Sequence, residues 1–165
     1  PSGENDDQLV PLAALAKEQD LAVRFIELMP IGLGSSLTRR TEAEVLTMLE
    51  AAFGPALPCP QEEGGGPGRY VTFPGFRGKV GFISAVSHRF CQSCDRVRLT
   101  AGGFWKTCLQ YDCGADLKAL LDAGADDAAL TQAIREAIAQ KPEGHHFGQA
   151  STGRDEGRNM NQIGG

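Results

Sequence analysis

The sequence predicts a fold on the border of α+β and α/β, and three observations predict it. A helix followed by a strand opens the chain, short β-rich runs and a glycine-supplied hairpin fill its middle, and the last third is helical. The first helix covers 6–18, DDQLVPLAALAKE. Its two leading acids suit a helix N-terminus, Pro11 falls early enough to be tolerated, and Leu12, Leu15 and Ala16 lie on one side. The strand is 21–28, LAVRFIEL, expected to be buried apart from Arg24 and Glu27.

A second helix is predicted over 42–53, because Thr41 and Glu44 stand at capping-box spacing and Gly54 follows its last turn. The next stretch, GPALPCPQEEGGGPG, is dense in glycine and proline and reads as a loop. Strands follow at 69–73 and 79–86. RVRLT and FWKTCL then flank AGG, a turn with glycine available for positive φ. ADLKALLDAG reads as a helix ending at Gly124. A final helix places Leu130, Ile134 and Ile138 four apart and stops before Pro142. From Glu143 onward the chain is polar and rich in glycine.

With 165 residues, 41% of them hydrophobic and 22% charged, the chain can bury a core and has a soluble globular composition. No run approaches 18 apolar residues, and PSGENDDQLV has neither the basic region nor the apolar core of a signal peptide. A net charge of −5 argues against a broad nucleic-acid surface but leaves room for a local basic pocket. Five cysteines cannot all pair, so a reducing cytoplasm with metal-bound thiolates is the expectation.

The chemistry concentrates in HRFCQSCDRVRLTAGGFWKTC. Cys91 and Cys94 bracket a two-residue turn, and a hairpin can bring Cys108 back beside them. The set His88, Cys91, Cys94 and Cys108 could close a tetrahedral zinc site, and Cys113 is another possible fourth ligand. A [4Fe–4S] cluster that leaves one iron without a protein ligand is the other possibility, and spacing alone does not separate them. Arg96 and Arg98, two apart in an extended segment, share a face, with Val97 and Leu99 expected to point inward. Two like charges side by side call for an anion, and guanidinium forks match phosphate.

These residues resemble the C-terminal half of the GTP 3′,8-cyclases, radical S-adenosylmethionine enzymes that open molybdenum cofactor biosynthesis. The resemblance is carried by FCQSCDRVRLTAGGFWKTCL, DLKALLDAG, KPEGHHF and the terminal RNMNQIGG. VRFIELMPIG resembles the family's last barrel strand with its following turn, and NDDQL the helix before it. The organisation implied is the end of a (β/α) radical barrel over 1–40, a cluster- and GTP-binding domain over 41–150, and a tail over 151–165. Cys91, Cys94 and Cys108 would hold an auxiliary [4Fe–4S] cluster whose open iron meets the guanine of GTP. Arg96, Val97 and Arg98, with Arg24, would contact GTP, the paired arginines gripping its triphosphate. Met29 would contact S-adenosylmethionine, and Gly164 and Gly165 would enter an active site that a side chain would crowd.

On the same resemblance His88 and Cys59 are ordinary loop residues, while Cys113 stays a candidate for the open iron. The implied partners are GTP, S-adenosylmethionine, a cyclic pyranopterin monophosphate synthase acting next, and a second copy in a homodimer. The family's other [4Fe–4S] cluster sits on a C-x3-C-x2-C motif that these 165 residues do not contain. By themselves they are therefore expected not to catalyse the cyclisation, and to carry an apolar, association-prone edge.

Overall fold

A computed structural model describes residues 1–59, 66–149, 153 and 155–163. They form two compact units: Pro1–Met29 with Ser36–Phe90, and Pro30–Ser35 with the described residues from Cys91 onward. Both mix helices and strands, as the sequence predicts.

In the first unit a 3-10 turn at Asp6–Gln8 leads into α1, Leu9–Glu18. The side of α1 that meets the core is not the leucine side. Ala13 and Ala16 are fully buried, whereas Leu12 and Leu15 are exposed. Small alanines let the helix approach closely, and residues 77 and 78 bond directly to its last carbonyls, Gly78 N to Ala16 O and Arg77 N to Lys17 O. The strand β1 is Ala22–Ile26, shorter than predicted and alternating rather than continuously buried. Ile26 is 62% exposed, and Glu27, expected at the surface, is buried. The reason is hydrogen bonding: Glu27 Oε2 accepts from Val86 N, Ser87 N and Ser87 Oγ.

Helix α2, Glu42–Phe53, has the predicted boundaries. Thr41 and Glu44 form the reciprocal capping box, and Gly54, at φ +88, ends the helix through its N–H to Glu50 O. The presumed loop contains a short strand, β2, Leu57–Cys59. Pro58 is compatible with pairing there because β2 lies at the sheet edge. Strands β3, Arg69–Thr72, and β4, Lys79–Ile83, complete a four-stranded sheet in the order β1-β4-β3-β2. β1 runs parallel to β4, and the other pairs are antiparallel. Val45 and Leu49 of α2 and Ala13 of α1 pack against Val71, Phe73, Val80 and Phe82 to form the core.

The second unit begins its sheet with β5, Arg98–Leu99, then β6, Phe104–Lys106, and β7, Gly114–Asp116, all antiparallel. β7 was not predicted. Gly114 permits it: its φ is +149, and a Cβ there would lie 1.9 Å from Trp105 O. Two helices follow, each started by an aspartate side chain. Asp116 accepts from Ala119 N to cap α3, Leu117–Asp122, and Asp126 accepts from Ala129 N to cap α4, Asp127–Ala139. Along α4 the predicted Leu130 and Ile134 are half-buried, but at the end of the helix Ala137 is buried and Ile138 exposed. A 3-10 turn at Met160–Gln162 precedes Ile163, which is fully buried.

Candidate functional site

The C-x2-C pair is shaped by a 3-10 turn over Cys91–Ser93, closed by Cys94 N donating to Cys91 O at 3.1 Å. In that geometry side chains three apart eclipse each other, so the turn sets the two thiols on one side of the chain. Cys108 follows the hairpin, in which Arg98 pairs with Lys106 and Leu99 with Trp105; it lies two residues past the end of β6. The hairpin turn depends on Gly103, at φ +81, where a Cβ would stand 2.6 Å from Lys118 Cβ.

All five cysteines are free thiols and half-buried. Among the described residues, no three His, Cys, Asp or Glu side chains stand close enough to hold one metal ion. A single zinc with bonds of about 2.3 Å requires sulfurs within roughly 4 Å of one another, whereas a cluster receives each thiolate on a separate iron. Cys91, Cys94 and Cys108 are half-buried thiols, the donor type that such a cluster takes. Cys113 is engaged elsewhere, its sulfur 3.3 Å from Thr107 Oγ1. In the first unit His88 lies 3.6 Å by its Nδ1 from Glu42 Oε2, near Ser87 Oγ.

The two arginines differ from expectation. Arg96 is exposed and its Nε lies 3.3 Å from Asp95 Oδ1. Arg98 is half-buried, while Leu99 is 60% exposed and not in the core. A two-residue strand is too short to impose an inner face, and the guanidinium takes the sheltered position. Burial pushes the Arg98 pKa down; the sulfurs of Cys94 and Cys108 oppose this, and Arg96 adds to it. Arg98 is thus the cation that feels two of the three thiols.

A second segment approaches Cys91 and Cys94, and sequence reasoning missed it. Lys141, just beyond α4, donates through Nζ to Cys94 O at 2.6 Å and Arg96 O at 3.0 Å, and lies 3.7 Å from Cys94 Sγ. Gly144 lies over Cys91: a Cβ there would be 3.7 Å from Cys91 Cβ and 3.9 Å from its sulfur. Tyr111 fixes this strap, donating its hydroxyl to Gly144 O at 3.1 Å with His146 Nδ1 2.7 Å away. His146 Nε2 is 3.0 Å from Asp155 Oδ1, without the alignment of a hydrogen bond. Burial raises the Tyr111 pKa, and Cys108, Asp155, Cys113 and Cys91 raise it further. Only the motif KPEGHHF marked this segment in the sequence, and it carried no role.

In the first unit Arg24 donates from Nε to the Tyr70 hydroxyl at 2.7 Å, its guanidinium 5.6 Å from the ring centroid. Met29 is half-buried at the end of that unit. Gly164 and Gly165 lie outside the described residues.

The model of the Molybdenum Cofactor Synthesis C family matches residues 21–147. The chain belongs to that family. Curated relatives of this family member are named GTP 3′,8-cyclase. That of Pelotomaculum thermopropionicum is 43% identical over 99% of this chain, that of Moorella thermoacetica 40% over 99%, and that of Clostridium perfringens strain 13 38% over 98%. The chain spans about half the length of each, 50% in all three. Among the described residues no helix is long and apolar enough to cross a membrane.

Proposed function

We propose that this chain forms the auxiliary-cluster and triphosphate-binding part of a GTP 3′,8-cyclase, which converts GTP to 3′,8-cyclo-7,8-dihydro-GTP. The observation that supports the reading is half-buried Arg98, whose charge the sulfurs of Cys94 and Cys108 favour, on the hairpin strand that follows the Cys91–Cys94 turn. Cys91, Cys94 and Cys108 would hold a [4Fe–4S] cluster, which when bound supplies a Lewis-acidic iron free of protein ligands for the guanine base. Arg96 and Arg98 bind the triphosphate: one guanidinium is exposed to capture it, the other is sheltered enough for its field to be weakly screened. Val97 contacts the nucleotide between them.

The rest of the family's machinery follows the resemblance. β1 would be the last strand of the radical barrel, Arg24 a further GTP contact, Met29 a contact for S-adenosylmethionine, and Gly164 and Gly165 the tail that enters the site. The second [4Fe–4S] cluster, which activates S-adenosylmethionine, would sit on residues outside this sequence, so the 165 residues alone would bind GTP without cyclising it. The product would pass to the cyclic pyranopterin monophosphate synthase in the cytoplasm.

The test is anaerobic purification followed by metal and sulfide analysis. The reading expects brown protein with about four irons and about four labile sulfides per chain. Colourless protein holding one zinc, lost in His88→Ala, would replace it with a zinc module that binds a phosphorylated partner.

A further inference from the structure

The proposed cluster leaves one contact unaccounted for. An ammonium group has three N–H bonds, and Lys141 has three acceptors around its nitrogen: Cys94 O, Arg96 O and Cys94 Sγ. Two of these fix the backbone on both sides of Asp95, and the third places a cation against a thiol proposed to bind iron. The position is built by the fold. Helix α4 ends at Ala139, Lys141 N bonds back to Ile138 O, and Pro142 turns the chain away, so the stem leaves a helix end that is itself secured.

Resting on the cluster reading above, we infer that Lys141 is a positioning residue that couples the Cys94 corner of the cluster to the phosphate-binding arginines. One ammonium holds the thiolate and the Arg96 backbone together, so the base-binding and triphosphate-binding ends of the site keep a fixed separation. The charge also has an electronic consequence. Reduction adds negative charge to the cluster, and a cation donating to one sulfur favours the more negative state, so Lys141 raises the reduction potential. Arg98 is electrostatically coupled to the same sulfur, which Lys141 Nζ approaches at 3.7 Å.

The experiment compares the unaltered chain, Lys141→Met and Lys141→Arg, each reconstituted anaerobically and titrated by EPR. Methionine keeps the apolar stem and removes the charge. The expected result is similar iron content in all three. Lys141→Met should show a midpoint lower by about a tenfold change in the reduction equilibrium, ~59 mV for one electron, with Lys141→Arg restoring most of it. An unchanged midpoint in an intact Lys141→Met cluster overturns this inference and leaves the cluster reading standing. An Arg variant that behaves like the Met variant also overturns it, since shape rather than charge would then be the cause. If folded Lys141→Met takes up no iron while Lys141→Arg does, the positioning role is upheld; loss in both contradicts it. A cluster-free unaltered chain would sink the underlying reading, and this inference with it.

Discussion

Lys106 Nζ lies 2.6 Å from Glu156 Oε2, and both side chains are about 2% exposed or less. The pair ties β6 to the segment leading toward the C-terminus. The segment is also held by Glu156 N donating to Gln110 O, and by Arg158, which donates from Nε and Nη2 to the two Glu156 oxygens. Glu156→Gln leaves the buried Lys106 without its counter-charge and should cost about 3–5 kcal/mol. Denaturant unfolding of the second unit, followed by the fluorescence of its single tryptophan, Trp105, measures this.

The same carboxylate gives a pH dependence. Hydrogen bonds from Arg158, then from Lys106, outweigh burial and hold the Glu156 pKa at about 2, below its ordinary 4.5. A folded pKa below the unfolded one means that the unfolded state binds the proton more readily. The stabilisation is therefore complete above about pH 5 and is lost as the pH falls toward about 2. Unfolding midpoints read from Trp105 should fall between about pH 5 and about pH 2, and Glu156→Gln should flatten that decline.

Phosphate binding separates the two arginines. Arg98 is the sheltered one, and charge-assisted hydrogen bonds contribute about 1.5–3 kcal/mol. Arg98→Ala should weaken GTP binding by roughly tenfold or more, and Arg96→Ala, which removes an exposed cation already near Asp95, by less. Calorimetry with GTP, and with S-adenosylmethionine in a full-length relative, checks the assignment. Equal losses for both ligands would indicate a collapsed site.

Much of the fold was legible because local signals agreed with tertiary ones. The capping box and Gly54 fixed the two ends of α2, and AGG located the β5–β6 turn through a glycine that both φ and Lys118 require. The errors have physical causes. Ile138 and Leu12 failed as core residues because small neighbours, Ala137 and Ala13, allow closer packing than a leucine or isoleucine would. Glu27 failed as a surface residue because its partners, Val86 and Ser87, lie about sixty residues away in the sequence. At the site, the C-x2-C turn and the AGG hairpin were readable from the sequence. The Lys141–Gly144 strap was not, since its contacts with the cysteine turn span more than forty residues.

The apolar edge has its own test. β1 closes one side of its sheet as an edge strand and presents Ile26 at 62% exposure. An edge of this kind pairs with other chains unless a charge opposes it. Sedimentation should show concentration-dependent association of the 165-residue chain, and Ile26→Lys should shift it toward monomer.

The most direct measurement is iron content in five single cysteine-to-alanine variants, reconstituted under one anaerobic protocol. The account predicts that Cys91→Ala, Cys94→Ala and Cys108→Ala lose the cluster, while Cys59→Ala and Cys113→Ala retain it. A full complement of iron in any of the first three, or its loss in Cys113→Ala, would contradict it.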